Sequence, residues 1–255
     1  SKESTHEVAR YCGERIMIDI SSVQEVSRGG NKFWLLIMDE FTGYCWSIFL
    51  RNKSELSKTM LHWIKNFNKE HKTKVKYIRC DNAGENHKFM KDTKEHLDYY
   101  VCFEFTAPNT PQQNGRVERK FATLYGKVRS MMNSAQFPQR MRYDLWAHAA
   151  KLATQLENIL VDLDNKSPSF KLYGKNPPWT QNLRTFGEVA IEYYNQKIKG
   201  KLHNKGRPCM FIGYTDNHAS NVFVFYNPVN KATCMSRNMV RSEEHTSELQ
   251  SPCNL

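Results

Sequence analysis

The hydrophobic pattern of the first hundred residues predicts five short strands. In the first of them Ile16, Ile18 and Ile20 share one face, and Asp19 lies on the other. The second is an apolar run without alternation, which is typical of a strand covered on both faces. Short connections join the first three, which favours an antiparallel meander. The predicted strands occupy residues 15–22, 32–41, 44–50, 74–80 and 100–105.

Helical periodicity accounts for most of the remaining residues up to position 161. Ser54 is a plausible N-cap of the first helix, and Pro138 stands where prolines commonly open a helix. Before the third helix, Pro111, Asn114 and Gly115 have the composition of a turn, with Asn114 as its cap. The predicted helices occupy residues 52–72, 87–98, about 115–134 and about 139–161. The expected buried stripe of the third helix is Val117, Phe121, Leu124, Val128 and Met131.

The order of these elements predicts an α/β fold with a mixed five-stranded sheet and flanking helices. Four short strand patterns beyond residue 182, separated by turn signals, predict a small appended β-barrel. The predicted divisions are an N-terminal remnant or linker at 1–12, a core at 13–165, a linker at 166–182, the barrel at 183–241 and a tail at 242–255.

Composition narrows the class of protein. Hydrophobic residues make up 40% of the chain and aromatics 12%, which is enough for a folded core. The net charge of +11 favours a polyanionic partner, nucleic acid first and an acidic membrane surface second, although an ordinary soluble surface is the alternative. We find no apolar run of bilayer length and no signal peptide, so no membrane association is expected.

The seven cysteines are scattered along the chain. Their count is odd and their spacing does not match a zinc knuckle. Several lie in apolar strand patterns, where a free cysteine behaves as a small hydrophobic residue. The pattern predicts a reduced, intracellular protein without a structural metal cluster.

Three acids stand at informative positions: Asp19 inside the first strand, Asp81 at the exit of the fourth, and Glu118 in the predicted first turn of the third helix. Each has an ordinary structural explanation. Asp81 suits a turn, and Glu118 suits the positive end of a helix. Asp19 is harder to explain, because a charge within an apolar strand is costly. Asp39 is its rival, but it lies where the second strand meets a turn, the usual place of a solvated Asp.

Clustered carboxylates repel one another unless cations neutralise them. If neighbouring parallel strands bring Asp19 beside Asp81, and the helix lays Glu118 across the same edge, the three acids would form a site of hard oxygen ligands. Mg²⁺ or Mn²⁺ prefers such ligands, and two ions about 4 Å apart suit the displacement of a phosphodiester.

Three segments carry a resemblance to a known family: residues 16–22, residues 78–86 and residues 106–124. They are similar to the catalytic core of copia-type (Ty1/copia) retrotransposon integrases, part of a Pol polyprotein. The combination of Pro-Gln-x-Asn-Gly before Glu118 with Asp-Asn-x-Gly-Glu from Asp81 is highly specific. The likeness extends over roughly Gly13 to Arg241.

This resemblance implies a ribonuclease-H-like core followed by an SH3-like barrel. It also implies DNA strand transfer, with Asp19 bridging two divalent ions, Asp81 completing one ion site and Glu118 the other. Water would first process the 3′ end of the element's DNA, and the freed hydroxyl would then attack target DNA. Double-stranded DNA and further copies of the chain are the expected partners, in the nucleus during integration and in a cytoplasmic virus-like particle before it.

A further set of residues is expected to contact DNA near the ions through amide groups, close backbone approach or positive charge. These residues are Asn82, Gln112, Gln113, Asn114, Gly115, Arg119 and Arg129. For Arg116, Lys120 and Lys127, a solvent-exposed face and a contact with DNA are equally expected. The sequence departs from its relatives at Ala122, where integrases often carry a basic residue, and this puts DNA contact at that position in doubt.

The ends also depart from the family. The N-terminal zinc module of the family is expected to be absent. His6 and Cys12 could be its trailing edge, but an isolated His and Cys are expected to be ordinary side chains and not ligands. The tail at 242–255 resembles a translated sequencing adapter, and a genuine acidic tail is the alternative. Two other functions therefore stay open. One is a catalytically inactive, DNA-binding remnant of an integrase, and the other is a ribonuclease-H-like nuclease acting on RNA–DNA hybrids.

Overall fold

The chain forms two compact units. The first comprises residues 1–124 and 154–176, and the second comprises residues 125–153 and 177–255. The computed structural model describes residues 8–106, 111–193, 206–215, 221–237 and 239–241, without the side chains at 111–114, 193 and 239–241. His6 and the predicted tail lie outside the described residues. Each unit consists of two segments that alternate along the chain, whereas the predicted domains are continuous. The predicted domain boundaries stay predictions.

The first unit is built on a five-stranded mixed sheet. Its strands are β1 (Arg15–Ser22), β2 (Phe33–Asp39), β3 (Cys45–Leu50), β4 (Tyr77–Cys80) and β5 (Cys102–Phe105). They lie in the order β3-β2-β1-β4-β5. Strands β1, β2 and β3 pair antiparallel, while β4 runs parallel to β1 and β5 runs parallel to β4. The mixed sheet predicted from the sequence is confirmed.

Helices cover both faces of this sheet. Ile16 and Ile18 point to the face where Met60 and Ile64 of one helix and Phe89 of the next complete an apolar core. The helices of the chain are α1 (Leu56–His71), α2 (Gly84–His96), α3 (Pro111–Ser134), α4 (Gln139–Glu157) and α5 (Pro168–Tyr173). The predicted strand and helix count up to residue 161 is therefore confirmed, with shifted ends.

The start of α1 differs from the prediction. A 3₁₀ turn at Lys53–Glu55 leads straight into the helix, and Glu55 at the N-cap position is itself helical without a side-chain cap. The prediction that Ser54 caps this helix is wrong, because the 3₁₀ turn already occupies the residues before it.

The end of α4 has a clear cause. The Asn158 amide accepts a hydrogen bond from Cys45 N at 2.8 Å and donates one to Cys45 O at 2.7 Å. Because β3 is the edge strand, this side chain satisfies backbone groups that no further strand pairs. The helix ends at Glu157, four residues before the predicted end.

The second unit contains a five-stranded antiparallel sheet in the order β10-β6-β7-β8-β9. Its strands are β6 (Val189–Tyr193), β7 (Gly206–Tyr214), β8 (Phe223–Tyr226), β9 (Thr233–Ser236) and β10 (Met239–Arg241). The last predicted strand is thus two strands, since β10 leaves β9 and pairs with β6.

The predicted linker at 166–182 carries secondary structure of its own. Ser167 caps α5 by accepting a hydrogen bond from Phe170 N, and Gly174 ends it in the left-handed conformation with φ +71°. A 3₁₀ turn at Pro178–Asn182 follows. Within the described residues, no helix combines the length and the apolar character that crossing a membrane requires.

Candidate active site

The register of β1 and β4 places Asp19 and Asp81 side by side. The two strands pair in parallel, with Ile16 opposite Ile78 and Met17 opposite Arg79. Continuing that register by two residues sets Asp19 opposite Asp81. Alternate side chains share a face, so both acids lie on the face opposite to the α1/α2 core.

Helix α3 covers this second face of the sheet. Its Phe121 ring packs edge-on against Trp34 of β2, with ring centroids 5.1 Å apart. Trp34 is paired with Ser21, two residues beyond Asp19. Glu118 lies almost one turn before Phe121 on an exposed side of the helix. The packing of this aromatic pair therefore places Glu118 over the sheet face that carries Asp19.

The electrostatics of Asp19 involve both of the other acids. The pKa of Asp19 is raised to about 6, first by burial and then by the negative charges of Asp81 and Glu118. The Ile20 backbone N–H, which donates to Asp19 Oδ1 at 2.8 Å, and the Lys53 ammonium oppose this rise. Three acids that repel one another in this way are poised to bind a cation.

The three acids do not form a tight cluster. Among the described residues, their carboxylate oxygens do not all lie within 4.8 Å of one another.

Asn86 holds Asp81 in place. Its amide nitrogen donates to both Asp81 Oδ1 and the Asp81 carbonyl oxygen, the latter at 3.2 Å. Asn86 is buried in the first turn of α2, and its own Oδ1 has no hydrogen-bond partner among the residues that the structure describes. Asn86 directly follows the Asp-Asn-x-Gly-Glu motif in the sequence, but only the fold shows what it contacts.

Lys53 and Glu85 also border the triad, and the sequence analysis missed both. The Lys53 ammonium lies 2.9 Å from a Glu85 carboxylate oxygen. Its positive charge also acts to lower the pKa of Asp19. Their ion pair joins the 3₁₀ turn after β3 to the first turn of α2. A lysine and a glutamate separated by more than thirty positions carry no local signal that could have revealed this contact.

Asp39 has a different role from Asp19. It is fully buried, accepting hydrogen bonds from Gly13 N at 2.9 Å and from the Thr42 N–H and hydroxyl at 2.9 and 2.7 Å. The expectation of a solvated Asp39 is wrong, because its carboxylate organises the β2–β3 turn. These contacts are structural, which favours Asp19 over Asp39 as the candidate first acid of the site.

The beginning of α3 corrects the predicted loop. The helix starts at Pro111, so Asn114 and Gly115 lie inside it and Glu118 is its eighth residue. The predictions of a turn here, of a cap at Asn114 and of Glu118 in the first turn are wrong. Proline fits the first turn of a helix, and Gly115 is buried, where a Cβ would lie 3.3 Å from Arg119 Nη1.

Three comparisons with known proteins bear on this site. A family model described as "Retroviral polymerase SH3-like domain" matches residues 190–254. The retrovirus-related Pol polyprotein from transposon TNT 1-94 of Nicotiana tabacum is 30% identical over 235 residues, which is 88% of this chain. That from transposon RE1 of Arabidopsis thaliana is 27% identical over 202 residues, or 79% of this chain.

The chain is a homologue of the retrovirus-related Pol polyproteins of plant copia-type transposons. It spans only 17% and 13% of the length of these two relatives. A chain of the simian T-cell lymphotropic virus intasome, solved in complex with PP2A regulatory subunit B56 gamma, shares its fold with a TM-score of 0.51. That match covers 92% of this chain and 81% of the other at 15% identity. The predicted fold class, an integrase-type α/β core with an SH3-like region, is confirmed.

The residues of this Pol homologue that were predicted to contact DNA are dispersed. Asn82 is exposed and its side-chain oxygen lies 2.6 Å from His87 Nε2. Arg119 is exposed near Glu118, whereas Arg129 is exposed on the part of α3 that belongs to the second unit. The side chains of Gln112, Gln113 and Asn114 lie outside the described residues, so their contacts stay predictions.

Two basic residues of α3 contact the protein itself. Arg116 Nη1 donates to the Glu40 carbonyl oxygen at 3.0 Å, and Lys120 Nζ lies 2.6 Å from Glu157 Oε1. Ala122 is exposed. Val117, Phe121 and Leu124 are buried as predicted, but further along the helix Met132 is buried in place of Val128 and Met131.

Proposed function

We propose that this chain is the integrase region of a retrotransposon Pol polyprotein. Its reaction would be metal-dependent processing of element 3′ ends, followed by strand transfer into target DNA. The observation that carries the proposal is the assembly of Asp19, Asp81 and Glu118 on one sheet face, from β1, the end of β4 and α3. Homology to Pol polyproteins supports the same assignment.

The three acids fit a pair of hard cations. All their ligand atoms are oxygens, and the repulsion that raises the pKa of Asp19 is relieved by positive charge. We infer that Asp19 would bridge two Mg²⁺ or Mn²⁺ ions, with Asp81 and Glu118 each completing one site. When bound, such ions activate an attacking oxygen and stabilise the leaving oxygen of a phosphodiester.

The chain itself supplies rigid positioning. The Ile20 N–H orients the Asp19 carboxylate, and Asn86 orients that of Asp81. Glu118 lies on a helix that is tied to the rest of the unit through Arg116 and Lys120 on neighbouring turns. A site whose ligands are locked by such contacts needs little reorganisation in the reaction.

Strand transfer on labelled duplex ends tests the proposal. In Mg²⁺, the full chain is expected to join these ends to target DNA, and Glu118→Gln is expected to lose about a thousandfold or more of the rate. Glu95→Gln makes the same charge change at an exposed site on α2 and should keep wild-type activity. Equal inertness of all three proteins would support the inactive, DNA-binding remnant instead.

Substrate competition separates the proposal from a nuclease. A ribonuclease-H-like nuclease would cleave an RNA–DNA hybrid in preference to processing duplex ends. We expect unlabelled duplex DNA to inhibit the processing of labelled duplex ends more strongly than an unlabelled RNA–DNA hybrid does. Preferential cleavage of the hybrid would show that the same three acids catalyse a nuclease reaction instead. We further propose that the protein acts as a multimer on chromosomal DNA in the nucleus.

A further inference from the structure

The second unit contains a cluster of metal-ligating side chains that has no part in the proposed reaction. Glu192 lies on β6, Cys209 on β7 and Cys234 on β9. One ligand atom from each residue lies within 4.8 Å of those of the other two. Cys209 is fully buried, with Cys234 and Glu192 partly exposed beside it. Cysteines 25 positions apart show no zinc-motif spacing, which is why the sequence did not reveal the cluster.

Sheet register explains why these side chains meet. Across β6 and β7, Glu192 is paired with Arg207 and Ala190 with Cys209, so Glu192 and Cys209 point to one face. Phe211 shares the face of Cys209, and it is paired through Phe225 of β8 with Cys234 of β9. All three ligands therefore project from the same face of the sheet.

The chemistry of the cluster points to a soft divalent ion. Thiolate sulfur with one carboxylate oxygen is a ligand set that zinc accepts, and three protein ligands leave a fourth position for water. Two thiolates bound to one tetrahedral ion would lie about 3.8 Å apart, at Zn–S lengths of about 2.3 Å. Because the ligand atoms already lie within 4.8 Å of one another, the two sulfurs need to approach by at most about 1 Å to reach that geometry.

Charge balance favours the same occupant. Two thiolates and a carboxylate carry three negative charges, which a divalent ion reduces to one. Arg207, whose guanidinium Nε donates to Glu192 Oε2, supplies the remaining positive charge. The oxygen that accepts from Arg207, Glu192 Oε2, also faces Cys209. Since a carboxylate oxygen has two lone pairs, it can keep Arg207 and bind the ion as well.

The thiols already interact with each other. A side-chain hydrogen bond joins the two thiols; it raises the pKa of Cys209 and lowers that of Cys234. Cys209 Sγ also lies 4.0 Å from Glu192 Oε2. Ion binding would release the thiol protons to solvent and replace this chain of weak contacts by three ligand bonds.

We propose that Glu192, Cys209 and Cys234 bind one zinc-class divalent ion, which joins strands β6, β7 and β9. This inference is independent of the acid triad and of integrase activity. Such an ion would stabilise the folded sheet, because it binds the assembled site and not the unfolded chain.

Metal titration of the full, reduced chain tests this proposal. After removal of bound metal, Co²⁺ should produce thiolate-to-cobalt charge-transfer absorption, and dialysis against zinc should leave one ion per chain more than Cys234→Ser retains. We expect Cys234→Ser and Glu192→Gln each to weaken binding at least about tenfold. Cys102→Ser, on β5 of the first unit, is the matched control and should bind as the wild type does.

Folding is monitored separately, by circular dichroism of each metal-free variant. Glu192→Gln keeps both thiols, so its loss of affinity cannot reflect the loss of a buried cysteine. The proposal is overturned if the folded wild type binds no more ion than Cys234→Ser does. It is equally overturned if the thiols are isolated as a Cys209–Cys234 disulfide and the reduced chain takes up no metal.

Discussion

Asp19 and Asp39 lie on paired strands, yet the hydrogen bonds around them assign them opposite roles. Asp39 accepts three hydrogen bonds from Gly13 and Thr42, so its carboxylate is a structural element of a buried turn. Asp19 accepts one from Ile20 and faces two further acids. The environment of each carboxylate, more than its position on a strand, separates a structural acid from a ligand.

Replacing Asp39 tests this distinction. We expect Asp39→Ala to lower the free energy of unfolding by about 2–4 kcal/mol, because it leaves buried N–H groups without acceptors. Urea denaturation measures this loss. In contrast, Asp19→Asn should retain or gain stability in the absence of metal. An Asp39→Ala protein as stable as the wild type would show that the turn does not depend on this carboxylate.

Asp19 should also make stability depend on pH. Its pKa is about 6 in the folded chain and about 3.9 in the unfolded chain, so between these values the folded state binds more protons. Stability should therefore fall as pH rises from 4 to 6, and Asp19→Asn should be more stable than the wild type above pH 6, by up to about 3 kcal/mol.

Thermal unfolding in chelator measures this difference at pH 4 and pH 7. Asp98→Asn, at an exposed position, should show no such pH-dependent gain. Added Mg²⁺ should stabilise the wild type and leave Asp19→Asn unchanged. A wild type that is more stable than Asp19→Asn at pH 7 in chelator would contradict the account of the repelling acids.

At the scale of elements, a buried ion network links three strands and the β2–β3 turn. Arg15 lies 2.8 Å from Glu40 and 3.0 Å from Glu104, and Arg79 lies 2.8 Å from Glu104. Arg79 is paired directly with Glu104 across β4 and β5. The network lies on the sheet face that also carries Asp19 and Asp81, and it fixes the register that brings them together.

Breaking this network should cost far more than breaking a surface pair. We expect Arg79→Met to destabilise the chain by about 3 kcal/mol, because it leaves Arg15 as the one guanidinium of this network to neutralise both Glu40 and Glu104. Combining it with Glu104→Leu should recover part of the loss, which a double-mutant cycle would detect as coupling. The exposed pair of Lys74 and Asp98 provides the control, with less than about 1 kcal/mol for Lys74→Met.

The sequence predicted the elements better than their ends. Alternation and periodicity located the strands and helices of the core. A strand with one buried face has an apolar residue at every second position, and a helix packed on the sheet has one at every third or fourth position. The start of α3 was missed, since Pro111, Asn114 and Gly115 have turn propensities that tertiary packing overrides here. The β9/β10 division and the Asp19–Asp81 register depend on strand pairing between distant segments, which a single sequence does not encode locally.

At the scale of the whole molecule, the positive charge should determine how the chain binds duplex DNA. With a net charge of +11, binding should weaken steeply as salt rises, because each phosphate contact releases counterions. Fluorescence anisotropy between 50 and 200 mM salt should show a loss of about a hundredfold or more. An affinity independent of salt would contradict a DNA-binding surface built on charge.

We infer that Asp19, Asp81 and Glu118 form one metal site. Anomalous scattering from crystals of the full chain grown with Mn²⁺ would show that metal. We expect two anomalous peaks about 4 Å apart between the three carboxylates, and their loss in Asp19→Asn. Manganese bound at Asp39, or at none of the three acids in a well-ordered crystal, would overturn this inference.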